Sequence, residues 1–206
     1  MARRAVIFDL GGVVIDSPLH AITRYERDLG IEQGLVNRVV VETGPAGAWS
    51  RLERGEIGMD EFHPAFEREC AEAGGRIASE ELMLRIAECQ PRPAMLVAIR
   101  RIRARALRVA ALTNNWSTAG EDGTGALRDE FDVFVESSVV GLRKPDPRIY
   151  AHVCAELRVE PAEAIFLDDI GRNLKTARSL GMETIKVDEP ASALDALSEL
   201  LGFALR

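Results

Sequence analysis

The sequence has only three cysteines in 206 residues. Cys70, Cys89 and Cys154 are widely spaced, with no CxxC pair, which excludes the usual redox and zinc motifs and leaves ordinary buried thiols. A basic excess is also missing: 26 Lys and Arg against 33 Asp and Glu give a net charge of −7. That argues against a nucleic-acid surface, though not against a small anion in a local positive pocket. The Arg-rich run RRIRARALR at 100–108 therefore reads as a solvated helix face. No apolar run approaches transmembrane length, and Asp9 interrupts the N-terminal one too early for a secretory signal. The expectation is a cytoplasmic protein with no membrane insertion. GEDGTG at 120–125 lacks the Lys-Ser/Thr ending of a phosphate loop and carries Glu121 and Asp122, so it reads as a plain loop. There is no internal repeat and no low-complexity tract.

What is present is a chain 47% hydrophobic and 29% charged, enough for one domain or a domain carrying a smaller insertion. Its organising stretch is AVIFDLGGVVID at 5–16. Ala5 to Phe8 is a short apolar run suited to a buried strand, and it ends in Asp9 followed by Leu10, Gly11 and Gly12. A carboxylate at the carboxyl end of such a strand points into the ligand crevice of an open α/β sheet. The two glycines allow close backbone approach.

From about Leu19 to Gln90 the pattern is helical, with no strand. Leu29, Leu35, Val36, Val39 and Val40 give one amphipathic segment, and Phe62, Phe66 and Cys70 recur at helical spacing in another. Pro91 and Pro93 close this insertion. Helix and strand then alternate: helix at 94–105, strand at 107–112, short helix at 127–131, strand at 133–135, helix at 149–157, strand at 164–167, helix at 174–180 and strand at 184–187. The alternation predicts a parallel sheet with right-handed crossovers. The expected architecture is α/β: a Rossmann-like parallel-sheet core at 1–16 and 92–206, with a small helical cap inserted at 17–91.

Four stretches fall just after predicted strands: Asp9, Thr113 with Asn114, Lys144, and Asp168 with Asp169. Parallel strands gather their carboxyl ends, so these residues can share one pocket. Three carboxylates with glycine-backed carbonyls suit a hard cation such as Mg²⁺, and a lysine with a hydroxyl suits a phosphate.

This ordered set resembles the haloacid dehalogenase superfamily, most of whose members are Mg²⁺-dependent phosphatases with an aspartate nucleophile. FDLGGVV, LTNN, GLRKPDPRIY and FLDDIGRNLKTARSLGM look like its four motifs, and the resemblance covers nearly the whole chain. The last two motifs and the ending LLGFALR look like the branch containing the N-terminal phosphatase domain of soluble epoxide hydrolase. The resemblance implies Asp9 as nucleophile, Thr113 and Asn114 on the phosphoryl oxygens, and Lys144 neutralising the charge. Asn115 and Gly12 would also meet substrate. Mg²⁺ would be held by Asp9, the Gly11 carbonyl, Asp168 and Asp169, with Asn173 orienting Asp169 or its loop. Trp116 either lines the substrate pocket or packs between core and insertion.

The pattern breaks at Gly11, where most phosphatases of the superfamily carry a second aspartate as general acid and base. Three explanations stand: a leaving group that needs little protonation, such as a sugar 1-phosphate or acyl phosphate; a proton donor elsewhere, from Asp16, His20 or His63; or a phosphate- and metal-binding domain that acts through a partner. Dehalogenation needs no Mg²⁺ and ranks lower. The expected function is Mg²⁺-dependent hydrolysis of a small phosphate monoester, sugar and lipid phosphates both being open. An apolar cap face could support a homodimer.

Overall fold

Side-chain alternation along β1 (Ala5–Phe8) decides the layering. Val6 and Phe8 enter one apolar cluster, Ala5 and Ile7 another, and all four are fully buried. A strand covered on both faces is what a parallel sheet between helix layers requires. The computed structural model describes residues 3–117 and 125–206; residues 120–124 of the GEDGTG stretch lie outside them. Four further strands, β2 (Arg108–Thr113), β3 (Val133–Glu136), β4 (Ala164–Asp168) and β5 (Glu183–Lys186), complete a parallel sheet of order β3-β2-β1-β4-β5. Phe8 is in register with Ala111 on one side and Leu167 on the other, so Asp9 comes level with Asp168. The strand order reverses at β1, and a ligand crevice belongs at that switch point.

The insertion is helical, as expected. It comprises α1 (Pro18–Leu29), α2 (Leu35–Thr43), α3 (Ala48–Glu53), α4 (Met59–Glu72) and α5 (Ser79–Ala87). These helices pack around their own apolar cluster, in which the Phe62 and Phe66 rings stack at 5.2 Å and Trp49 sits against both. The single amphipathic segment read from Leu29 to Val40 is in fact two helices. Gly30, left-handed at φ 68°, ends α1, and Leu29 is exposed. The fully buried Glu26 then accepts from the N–H groups of Gly34, at 2.7 Å, and Val36, at 2.8 Å, which anchors the start of α2.

The chain returns to the sheet through α6 (Pro93–Ala104), whose arginines are exposed as expected. After β3 comes the single turn α7 (Ser137–Val140); α8 (Pro147–Leu157) and α9 (Gly171–Ser179) cover the face opposite α6. A last helix, α10 (Pro190–Leu201), which the sequence pattern did not single out, joins α6 and buries Leu194 and Leu197. The short helix expected at 127–131 is a 3₁₀ turn, Gly125–Glu130. Cys70 and Cys154 are buried, while Cys89 is half-buried. Among the described residues no helix is long and apolar enough to cross a membrane.

The two chain crossings between sheet and cap are stitched together: Ile15 bridges Pro91, Asp16 N donates to Gln90 O at 2.9 Å, and Arg92 N to Val14 O at 2.8 Å. Within the cap, Glu26 is the buried polar group most exposed to a test. Glu26→Ala leaves two buried N–H groups without a partner and is expected to cost about 2–4 kcal/mol in urea unfolding. Glu26→Gln, which keeps one acceptor, should cost less. Equal, sub-kilocalorie losses would show that α2 does not depend on this carboxylate.

Candidate active site

Asp9 follows the last residue of β1 and is 7% exposed. Its Oδ1 accepts from Leu10 N at 2.7 Å and from Lys144 Nζ at 2.7 Å. The Lys144 ammonium, itself 1% exposed, also donates to Asp168 Oδ2 at 2.9 Å. Asp168 is the final residue of β4 and has no exposure; Asn173 Nδ2 contacts both its oxygens, at 3.0 and 3.1 Å, and Ile170 N donates to its Oδ1 at 2.7 Å. Asn173 was expected beside Asp169 or its loop, but Asp168 is the carboxylate it holds. Asp9, Asp168 and Asp169 each offer an oxygen within 4.8 Å of the others.

Burial holds the Asp9 carboxyl well above its usual range; Lys144 pulls it down, and Asp168 and Asp169 push it up again. Burial likewise raises Asp169 to about 6, with Asp168 adding to the rise and Lys144 opposing it. For Lys144, burial works against the charge, but Asp168 and Asp9 outweigh it and hold the ammonium above its ordinary value. Three carboxylates thus face one ammonium, a shortage of positive charge that a divalent cation would correct, and the donors are all oxygen, which fits Mg²⁺. Gly12, at φ 76°, is what lets the third carboxylate in. A Cβ there would lie 2.1 Å from Asp169 Oδ2.

Gly12 was also expected to meet substrate. Its N–H instead donates to Asp16 O at 3.3 Å, and its carbonyl accepts from an Arg92 guanidinium nitrogen at 2.6 Å. Thr113, at the end of β2, faces the cavity. Asn114 lies beside it with its amide committed to the Lys144 backbone: Lys144 N donates to Oδ1 at 2.8 Å, and Nδ2 donates to Lys144 O at 3.1 Å. The Asn115 amide turns to Glu136 and Ser138. Both residues line the cavity with their amides engaged in these contacts.

The carboxylates lie at the polar end of a cavity of about 500 Å³ between the strand ends and the cap. Its far walls are apolar, with Ile22, Val36, Val40, Trp49, Ile86 and Trp116 among them. Trp116 fulfils both alternatives: it lines this cavity and packs edge-on against Trp49 at 5.8 Å. Gly11 is on the wall, and a Cβ there would meet the Pro18 ring at 3.1 Å. Of the alternative proton donors, none lines the cavity. Asp16 is exposed near Arg92, His20 is exposed, and His63 Nδ1 lies 2.7 Å from Ser79 Oγ within the cap. Three charged residues that sequence reasoning missed do line it: Glu53, Arg143 and Arg172. Arg143 lies inside the quoted GLRKPDPRIY stretch; Glu53 reaches the site through the packing of α3 alone.

A parallel sheet with an aspartate just after its central strand, a buried lysine between two carboxylates and a helical cap over the strand ends define a HAD-like α/β hydrolase core. A model of haloacid dehalogenase-like hydrolases matches residues 3–181, and the chain belongs to that family. Acyl-CoA dehydrogenase family member 10 of Mus musculus is 42% identical over 98% of this chain, and bifunctional epoxide hydrolase 2 of Sus scrofa is 35% identical over all of it. The chain spans 19% and 40% of the lengths of those two proteins. The sesquiterpene phosphatase astK of Aspergillus oryzae is 27% identical over 97% of each chain. Among solved structures, a predicted HAD-like hydrolase from Porphyromonas gingivalis shares the fold at a TM-score of 0.72, with 23% identity over 98% of each chain.

A carboxyl whose pKa rises on folding keeps its proton in the folded chain where the unfolded chain has lost it. Without a cation, Asp169 therefore costs stability as pH rises from 3.8 through about 6. Saturating Mg²⁺ should relieve this and raise the melting temperature by about 5 °C near neutral pH, with the gain fading at about pH 5, where protons occupy the same oxygens. In Gly12→Ala the gain should vanish at every pH. Thermal melts with and without Mg²⁺ check both, and a gain independent of pH would contradict the assignment of Asp169 to the cation.

Proposed function

We propose that this chain is a Mg²⁺-dependent phosphatase that hydrolyses a small phosphate monoester through a phosphorylated Asp9. The observation that carries this reading is the buried Lys144 ammonium, 2.7 Å from Asp9 and 2.9 Å from Asp168, with Asp169 beside them at the polar end of the cavity. Asp9, Asp168 and Asp169, with the Gly11 carbonyl, would hold Mg²⁺, which when bound draws charge off the phosphoryl oxygens. Asp9 Oδ attacks phosphorus in line, and the bond to the alcohol oxygen breaks with its electron pair. Lys144 stabilises the charge that gathers on Asp9 and the phosphoryl group, and the Thr113 hydroxyl donates to a phosphoryl oxygen. Asn114 keeps Lys144 in place. Water then attacks the same phosphorus, releasing phosphate and restoring the Asp9 carboxylate.

Two features narrow the substrate. With glycine at position 11 and Asp16, His20 and His63 all off the cavity wall, the alcohol oxygen takes its proton from solvent. A positioned acid commonly supplies about 10²–10⁴-fold in rate, so esters with stable leaving anions should be favoured. The apolar walls favour a hydrocarbon alcohol over a sugar, a preference supported by the resemblance to a sesquiterpene phosphatase. The missing acid also favours a second reading, a catalytically weak domain that binds phosphate and metal for a partner. Dehalogenation is disfavoured, since it gives the three converging carboxylates no task.

Phosphate release should be measured from isoprenyl, fatty-alcohol and acyl phosphates and from sugar 1-phosphates, with Mg²⁺ and with EDTA. Expected is release that needs Mg²⁺, falls at least about 10³-fold in Asp9→Asn, and is faster for apolar than for sugar esters. Gly11→Asp, crowded by Pro18, should not increase it. No release from any ester by folded, Mg²⁺-bound protein would establish the binding-domain reading instead.

A further inference from the structure

The cap touches the core close to the nucleophile through a buried carboxylate that the mechanism above does not use. Glu53, at the end of α3, is 6% exposed. Its Oε2 accepts from Arg143 Nε at 2.5 Å and from Asn114 Nδ2 at 3.4 Å, and its Oε1 from Trp49 Nε1 at 3.0 Å. A second guanidinium nitrogen of Arg143 donates to Ser50 Oγ at 2.9 Å. Glu53 and Ser50 belong to the cap, whereas Arg143 and Asn114 belong to core loops. With the side chains only 15% and 8% exposed, the Arg143–Glu53 pair sits where water screens little, and losing one partner strands a buried charge.

The core partners lead directly to Lys144. Arg143 precedes it in the chain, and Asn114, gripped by Glu53, holds both the N–H and the carbonyl of Lys144. We propose that Glu53 and Arg143 are positioning residues: their pairing latches the cap shut and, through Asn114, fixes the Lys144 backbone so that its ammonium lies on Asp9. Opening the cap removes the Glu53 carboxylate from both Arg143 and Asn114, so the brace behind the Lys144 backbone is complete only in the closed state. This rests on the phosphatase reading, because it assigns a consequence for turnover to cap closure. The geometry fits a tie rather than a proton donor, since both Glu53 oxygens are already occupied.

The protein's two tryptophans provide a probe that does not depend on activity. Trp49 belongs to the cap and Trp116 to the core, their rings crossing edge-on at 5.8 Å. At that separation the two indoles couple through their strong far-ultraviolet transition and give a paired dichroism signal. Glu53→Gln, which keeps the shape and removes the charge, should weaken that signal in the substrate-free protein. It should also lower kcat for p-nitrophenyl phosphate by about tenfold while KM changes less than about twofold, because alignment of Lys144 and not binding is lost. Arg143→Gln should do the same. The double variant should lose about tenfold and not about a hundredfold, since both changes break one tie. Arg143→Lys, a milder change, should fall between wild type and Arg143→Gln, and it replaces Glu53→Gln if that variant does not fold.

An unchanged dichroism signal, a kcat within about twofold of wild type, or losses that multiply in the double variant would each overturn the proposal. Wild-type activity that Asp9→Asn does not abolish, or no activity at all, would instead count against the phosphatase reading. In that case the dichroism of Glu53→Gln still decides whether the ion pair holds the cap.

Discussion

One buried ammonium held between two carboxylates is the constraint to which the rest of the molecule answers. Lys144, Asp9 and Asp168 are all withdrawn from water, and removing charges from water is costly unless each finds partners. Asp168 is fully supplied, by Lys144, by both contacts from Asn173 and by a backbone N–H. Asp9 has Lys144 and one backbone N–H. Asp169, admitted by the missing side chain of Gly12, adds negative charge with no ion-pair partner among the described residues. The unevenness is itself informative: a centre built only for stability would not gather a third carboxylate around one lysine. It is what a site arranged for a divalent cation and a phosphoryl group would look like.

The sheet delivers these groups, and the cap forms part of their surroundings. Register between β1 and β4 brings Asp9 level with Asp168, and β2 ends beside them with Thr113. None of this depends on the cap, whose apolar cluster is separate from the two that cover the sheet. The cap supplies the apolar walls, and Glu53 supplies a charged contact at the seam. Electrostatic interactions near the nucleophile strengthen as water is excluded, so a closed cap affects the reacting charges even through residues that never touch substrate.

Sequence reasoning recovered the parts that local pattern encodes. β1, followed by Asp9, is a continuous apolar run cut by a carboxylate and two glycines, and the strand–helix alternation after Pro93 has the periods of a parallel α/β sheet. Asp9, Thr113 and Asp168 each follow or end a strand, and Lys144 lies in the loop beyond β3 and α7, so their convergence could be read from topology. What stayed hidden depended on contacts between distant segments. Nothing around Asn114 reveals that its amide is consumed by Lys144, thirty residues on. Glu53 looks like any helix carboxylate until α3 packs against the loop bearing Arg143. The break between α1 and α2 was missed because Leu29 continues the apolar spacing, while Gly30 and the buried Glu26 decide where the helices divide.

Gly11 shows how a substitution at one site becomes part of the architecture around it. The place that a side chain would take is bounded by the Pro18 ring, at the first turn of the first cap helix. The cap thus starts against the backbone that follows the nucleophile, closer than a residue with a Cβ would comfortably allow. A general acid at this position and this packing of Pro18 compete for the same space. Ile15, Pro18, Leu19 and Ile22 add apolar lining to the cavity here. If the chain is the phosphatase proposed above, proton donation is given up next to the reacting bond, and contact with a hydrocarbon portion of the substrate is extended. On the proposed phosphatase reading, discrimination would then rest on two properties of the alcohol, its fit to an apolar wall and its stability as a leaving anion, and not on a catalytic acid that would serve any ester equally.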